Sequence, residues 1–404
     1  MSRHDVLIAG GGLVGSALAL ALSGHGLRIA VIDQTPDLQP ELSPDQRHLA
    51  LAQASVTALR TLGLWPALQP VAGAIRAIHV SSRGDFGATR LRAEAHGLES
   101  FGMVVPARHL LAALVAKLRQ SADVALYKPA RVLESGLDGE ARWLRIEQEG
   151  GEVKLQGRLL VAADGTDSPL RQSAGIDCEQ RDYAQSAINA ALRVERDAQG
   201  TAYERLTASG PIALLPQPEQ RMGLVWTLPS AAAEAMAAAP EPEFLAALQA
   251  AFGYRLGRML GVGPRAVYPL RLLRARRLYD ERLVLVGNAA QSVHPIGAQG
   301  FNLGLRDACE LAERLVAARR EQQDLAAPAL LAAYAEARAR DRELTIAGSD
   351  GLLGVFAMQA APWRALRSLG LVLADRFEPA RQAIVERGMG YAARAPRLSR
   401  GLPL

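Results

Sequence analysis

A chain of 404 residues, 49% hydrophobic and 22% charged, carries enough apolar material for more than one core, which excludes intrinsic disorder and, at about 150 residues per domain, predicts two or three domains. Its formal charge of +5 favours anionic partners such as nucleotides or acidic lipid, yet the arginines are scattered and form no basic block, so nucleic acid is excluded as a partner. Two cysteines, Cys178 and Cys309, lie far apart outside any CxxC or Cys/His pattern; they exclude a disulfide framework and a structural zinc site, leave no metal site to expect, and point to a reducing, cytoplasmic setting.

The N-terminal apolar run breaks at glycines after about five residues and lacks a small-residue cleavage pattern, so it does not read as a signal peptide. No stretch reaches the roughly 18 to 20 uninterrupted apolar residues of a membrane span. Residues 5 to 9, DVLIA, read instead as a buried parallel strand. SALALALSGHG, after the glycines, reads as a helix ending at Gly26, and RIAVID, residues 28 to 33, as a second strand ending in Asp33. Gly10, Gly12 and Gly15 thus satisfy G-x-G-x-x-G after a strand and opening a helix. The first glycine allows the tight turn, the second lets the main chain approach a pyrophosphate, and the third lets helix and strand pack closely. Free amides at the helix start then bind the anion. The plain alternative, a chance match in a chain with 37 glycines, is weakened by the strand–turn–helix context. Asp33 stands where a carboxylate accepts hydrogen bonds from a ribose hydroxyl pair, or where an ordinary turn aspartate ends a strand. This unit predicts dinucleotide binding without separating FAD from NAD.

Further along, AIRAIHVSSRG (74 to 84) and AINAALRVE, IALLPQ and RMGLVWTLP (within 187 to 229) read as antiparallel strands of a second domain. AAAEAMAAAPEPEFLAALQAAFG, residues 231 to 253, reads as helical on both sides of its proline break. LLVAADGTDSPLR (159 to 171) and RLVLVGNAAQSVHPIGAQGFNLGLRDA (282 to 308) each pair an apolar run with a glycine-containing turn and a following helix, so the nucleotide-binding sheet is expected to be assembled from non-contiguous pieces. From about residue 305 the pattern is mostly helical, with breaks at Pro328 and Pro362.

ADGTDSPLR, with Asp164, Gly165, Ser168 and Arg171, together with GNAAQSVHPIGAQGFNLGLRD, resembles the paired motifs of flavin-dependent aromatic hydroxylases of the p-hydroxybenzoate hydroxylase superfamily. The order of all three motifs is kept, and GNAAQ, HPIGAQGFNLGLRD and DQRHLALA (45 to 52) are most similar to the ubiquinone-biosynthesis hydroxylases within it. The resemblance implies an α/β fold: a Rossmann-like FAD-binding domain of the glutathione-reductase type built from residues 1–73, 102–180 and 270–345. An interleaved antiparallel-sheet substrate domain would take 74–101 and 181–269, and a C-terminal helical region 346–404.

Roles follow position by position. Gly10, Gly12 and Gly15 would hold the FAD pyrophosphate and Asp33 the adenosine ribose, where many relatives place Glu. Arg47 in DQRHLALA would approach the FAD phosphates, against the alternative of a solvated surface arginine. Arg108, in VPARHLLAAL, would line the flavin from a helix or form a surface salt bridge. Asp164 would lie where FAD and a reduced nicotinamide approach, or cap the following helix. Asn288, after Gly287, replaces an Asp that bonds the ribityl chain; it still accepts and donates hydrogen bonds but loses the charge. In HPIGAQGFN, Pro295, Gly297, Gly300 and Asn302 would give the isoalloxazine edge main-chain contact, with a helix N-terminus stabilising the anionic reduced flavin. His294 is a candidate acid or base, or a structural histidine.

The implied chemistry is ring hydroxylation. A transient NAD(P)H, for which no second Rossmann fingerprint appears, would reduce FAD, and dioxygen would form a C4a-hydroperoxide attacked by an electron-rich phenol, with water excluded. The implied substrate is a polyprenylated methoxyphenol, a polyprenylphenol of the ubiquinone route. It would be met by peripheral contact at the inner face of the membrane or in a quinone-biosynthesis complex. Residues 350 to 375, with Arg364 and Arg367, would form a lipid-facing amphipathic helix pair, or pack ordinarily onto the core. The alternatives are a hydroxylase of another small aromatic and a non-catalytic flavin-fold subunit, for which Asn288 is the foothold.

Overall fold

The computed structural model describes residues 2–357, 369–370, 376–391 and 394–404. The first strand, β1 (Ser2–Ala9), is buried on both faces: Val6, Leu7 and Ile8 have no exposure. A strand of that kind requires cover on both sides and parallel neighbours. It finds them in β2 (Ile29–Ile32) on one side and the strand Gly151–Ala162 on the other. Val124–Tyr127 extends the sheet beyond β2, and Leu283–Leu285 extends it beyond Gly151–Ala162, all parallel. Antiparallel strands Ala130–Asp138 and Ala141–Gln148 continue from Gly151–Ala162. The sheet is therefore assembled from distant pieces of chain.

Between β1 and β2 runs the helix α1 (Leu13–Leu22), whose residues Gly15 to Leu22 are all buried. It ends four residues before the expected Gly26. Ser23 leaves the helix with extended backbone, its hydroxyl donating to Asp123 Oδ1 at 2.8 Å while the Gly24 amide donates to Oδ2 at 2.7 Å. Side-chain capture by a residue a hundred positions away set that boundary.

A second sheet runs in the order Gln291–Ser292, Ala266–Ala275, Cys178–Val194, Arg221–Pro229, Gly210–Pro216, Thr201–Thr207, Ala77–Ser82, Ala88–Arg92. Period-two alternation puts Ile188, Ala190, Leu192, Ile212, Leu214, Leu224 and Trp226 on one face, against Phe244, Leu248 and Phe252 of the helix Glu241–Phe252. The helix Ser230–Ala238 precedes it across the proline break. On the opposite face, Gly223 lies against His48 of the strand His48–Ala52. One pairing departs from the antiparallel expectation: Ala77–Ser82 lies parallel to Thr201–Thr207, as strands brought together over a long chain separation are free to do.

A small sheet of His48–Ala52, Gly102–Pro106 and Gly73–Ile75 lies between the two large ones, and helices Gln299–Arg320, Pro328–Ala357 and Glu378–Gly388 complete the described chain. Pro328 opens its helix, where its missing N–H costs nothing. Pro362, and Arg364 and Arg367 of the expected lipid-facing pair, lie outside the described residues. Among the described residues, no helix is long and apolar enough to cross a membrane.

Candidate active site

Register decides where the three glycine loops meet. Ala9 pairs with Ala162, and Ala162 with Leu285, so three adjacent parallel strands end level. At about 4.8 Å between strands, the loops beginning at Gly10, Ala163 and Val286 leave one sheet edge within roughly 10 Å of each other. The carboxyl ends of parallel strands are where α/β sheets bind ligands.

Each fingerprint glycine has its own reason. Gly10 is left-handed, φ 104°, and its missing side chain leaves room for the Ala163 carbonyl; a Cβ on Gly15 would overlap the Gly10 carbonyl oxygen. Gly12 caps the start of α1, and a Cβ there would meet no atom within 4 Å. Two glycines serve packing, therefore, and Gly12 faces open space at a helix N-terminus with no side-chain cap. Asp33 Oδ2 accepts from the Gly11 amide at 2.6 Å and Oδ1 from the Thr35 amide at 2.7 Å, which fixes the carboxylate beside the loop with lone pairs to spare.

In the second loop, Ser168 caps the short helix Pro169–Ser173 by accepting from the Arg171 amide, and Asp164 Oδ2 accepts from the Leu170 amide at 3.3 Å. Asp164 Oδ1 is buried without a partner, and burial pushes the carboxyl above its usual range. Gly165 is left-handed and faces open space. In the third loop, Gly287 is left-handed against Val14 of α1, and Asn288 beside it is exposed. Gly297 is exposed and left-handed with nothing near its missing Cβ; Ala298 follows, also left-handed, a strained choice for a residue with a side chain. Gly300 lies one step into the helix Gln299–Arg320.

Other expected residues have structural partners. Asn302 Oδ1 accepts from Ala52 N, and Nδ2 donates to Ala50 O and Ala298 O, so this amide ties the third loop to the strand His48–Ala52. His294 is fully buried, its Nδ1 accepting from the Ile296 amide at 3.2 Å and its ring set edge-on to Tyr183. Burial lowers its pKa to about 4, so it is neutral and holds the turn into Pro295. Arg47 forms a two-pronged pair with Asp45 and lies over Tyr268, whose hydroxyl also donates to Asp45. Arg108, in the first turn of the helix Ala107–Leu118, donates to Gln46 Oε1 at 3.0 Å. Arg47 and Arg108 thus share one neighbourhood, reached because His48 pairs with Pro106.

A family model described as an FAD binding domain matches residues 3–347. The ubiquinone hydroxylase UbiL of Rhodospirillum rubrum is 40% identical over 407 residues, covering 99% of this chain and 93% of that protein. The chain belongs to the FAD-dependent aromatic hydroxylases. The 3-demethoxyubiquinol 3-hydroxylase of Escherichia coli is 31% identical over 379 residues, 92% of this chain and 95% of that one. Among solved structures, p-nitrophenol 4-monooxygenase PnpA from Pseudomonas putida superposes with a TM-score of 0.82 at 19% identity, covering 98% of this chain and all of that one, a likeness of fold.

For a hydroxylase of this family the cofactor is FAD, with NAD(P)H as reductant. The site fits that group: an open helix N-terminus at Gly12, bare backbone facing space at Gly165 and Gly297, and an unpartnered buried carboxylate oxygen on Asp164. Among the described residues, no cluster of His, Cys, Asp and Glu is arranged to hold a metal ion.

Sequence reasoning missed what holds the third loop. Asp307, 1% exposed, accepts from Arg338 Nε at 2.7 Å, Gln291 Nε2 at 2.5 Å and the Gly287 amide at 3.3 Å. Arg338 and Arg306 share Asp341, Arg342 donates to Gln291 Oε1 and the Ala290 carbonyl, and Arg171 donates to the Ala289 carbonyl. The network pins residues 287 to 291 from below. Its signal was the arginine–aspartate alternation of RARDR, residues 338 to 342.

Proposed function

We propose that this hydroxylase adds oxygen to the ring of a polyprenylated methoxyphenol in ubiquinone biosynthesis, meeting it as a peripheral protein at the inner face of the membrane or within a biosynthetic complex. The observation that carries the reading is the end-to-end likeness to ubiquinone hydroxylases, which covers both the loops and the second sheet.

When bound, FAD supplies the redox chemistry that activates dioxygen. The chain's residues do the rest. Gly10, Gly12 and Gly15 shape the turn that admits a pyrophosphate to the amides opening α1, and Asp33 takes the adenosine ribose. Asp164 Oδ1 accepts a hydrogen bond from the cofactor or from a visiting nicotinamide. Arg108, whose partner Gln46 is neutral, would bring positive charge toward the phosphates, and Arg47 would reach them with the donor that its pair with Asp45 leaves free. Gly287 and Asn288 would hold the ribityl chain, with Asn288 donating and accepting in place of a carboxylate. Gly297 and Gly300 would offer bare backbone to the isoalloxazine ring, with Pro295 leading into that turn, while His294 and Asn302 hold the backbone in shape.

Deletion of the gene tests the substrate. Accumulation of a prenylated phenol lacking one ring oxygen is expected. Unchanged quinone content, with hydroxylation of an unprenylated aromatic by the purified protein, would replace this reading with that of a small-aromatic hydroxylase.

A further inference from the structure

One acidic side chain on the sheet face opposite the loops has no partner. In the strand Thr201–Thr207, Glu204 is directly opposite Ala213 on one side and Val80 on the other. Ala213 is opposite Val225, and Val225 is opposite Asn189. Opposed residues share a face, so Val80, Glu204, Ala213 and Val225 form one row across four strands, ending at buried Asn189. All four are partly exposed. To one side lie Ile78, Ala202, Leu215 and Gly223, buried except for Ile78, and to the other Ser82, Leu206, Pro211 and Thr227, buried except for Pro211.

An accessible row between two mostly buried ones forms the floor of a groove, and at about 4.8 Å per strand it runs roughly 14 Å. The strand His48–Ala52 walls one side of the groove. Gly223, on the same face, lies so close to His48 that an added Cβ would sit 2.5 Å from the histidine Cβ. The strand of His48 is the one that Asn302 ties to the HPIGAQGFN loop.

Glu204 is surrounded on this face by Ala202, Leu206, Ala213 and Val80, and no hydrogen bond or ion pair reaches it among the described residues. Burial without compensation pushes its carboxyl up to about 7. The strands Ala77–Ser82 and Gly210–Pro216 bring no charge against it on this face. On the facing side, His48 is held neutral by burial, while Tyr268, Asp45 and Arg47 bond one another four strands away; none of them acts on it. A carboxyl placed on an apolar wall and open to a groove lacks a donor that a ligand can supply.

We propose that this groove takes the substrate's ring and the start of its apolar tail, with Glu204 accepting the ring hydroxyl. The assignment rests on the proposed function and adds the residue that selects a phenol. As the ring reacts, its O–H bond breaks, the proton passes to the Glu204 carboxylate, and the electron pair stays on the ring oxygen and enriches the ring. As the new ring C–O bond completes, the hydrogen on that carbon leaves to solvent, the ring regains its aromatic bonds, and Glu204 returns its proton to the ring oxygen.

The test compares binding of hexylphenol and its methyl ether, hexylanisole, to the FAD-loaded protein, read from the flavin absorbance. A hydrogen bond to a charged group is worth about 1.5 to 3 kcal/mol, so the native protein should prefer the phenol about tenfold to hundredfold above neutral pH. That preference should decline as pH falls through about 7, where Glu204 takes up its proton. E204L should abolish the preference and E204Q should remove its pH dependence, with bound flavin per chain confirming that both fold. An undiminished preference in E204L, or a native preference indifferent to pH, overturns the assignment. Hydroxylation assays keep the two readings apart. A native protein that hydroxylates prenylphenols while E204L keeps its preference refutes only the role of Glu204. A Glu204-dependent preference with no hydroxylated product refutes only the proposed function.

Discussion

Removing the Asp307 carboxylate, as Asp307→Ala, should destabilise the fold far more than a surface change would. Asp307 is 1% exposed and Arg338, its partner at 2.7 Å, is 2% exposed. Breaking a buried pair strands the remaining charge, and losses of about 3 to 5 kcal/mol are usual. Asp341 still pairs with Arg338, which sets the expectation near 3; the abandoned donors of Gln291 and Gly287 add to it. At about 2 to 4 °C per kcal/mol for a domain of 150 to 250 residues, the melting temperature should fall by roughly 6 to 12 °C. Asp307→Asn is the informative companion. Its Oδ1 still receives Arg338, but its amide would point a donor at the donors of Gln291 and Gly287, so it should recover only part of the loss. Flavin affinity should drop in both variants, because residues 287 to 291 hang from this network. Thermal melts of flavin-loaded and flavin-stripped protein read both effects. A change under about 1 kcal/mol in Asp307→Ala would show that the pair is replaceable and the reasoning wrong.

The glycines separate packing from binding. Gly15→Ala forces a Cβ into the Gly10 carbonyl and should cost about 3 kcal/mol of stability even without flavin, whereas Gly12→Ala should cost under about 1 kcal/mol yet lose flavin; equal melting of the two stripped variants would contradict this division. For pH, burial lowers the pKa values of His48, His79 and His294 from 6.5 to about 4. A native histidine pKa below the unfolded value means that unfolding takes up protons between those limits, so stability should decline as pH falls from about 6.5 toward 4. Urea titrations at several pH values check this, and a flat profile over that window would show that these rings are not held neutral.

Much of the nucleotide-binding half was legible in the sequence because its signals are local. An apolar run such as VLIA followed by glycine announces a strand and a tight turn, and three such units in order announce one sheet edge. What stayed hidden depended on pairing at a distance. Nothing in SGHG reveals that Asp123 captures Ser23 and Gly24 and ends α1 early. The parallel match of Ala77–Ser82 with Thr201–Thr207 needed the register, as did the groove, since TAYERLT shows an ordinary alternation until Glu204 is seen between Val80 and Ala213. The resemblance of HPIGAQGFN placed Asn302 at the isoalloxazine edge and left His294 an acid or base or a structural histidine; what it did not reveal is that both side chains satisfy backbone groups that the sharp turns would leave unpaired. The Asp307 network was missed because its members are spread over three helices and a loop.

The most direct test supplies the purified protein with FAD, NAD(P)H, a prenylated methoxyphenol and isotopically heavy dioxygen, and examines the product by mass spectrometry. One heavy oxygen atom on the ring, formed in proportion to NAD(P)H consumed, is the expected result. Flavin reduction yielding only hydrogen peroxide, with the phenol recovered unchanged, would contradict the account.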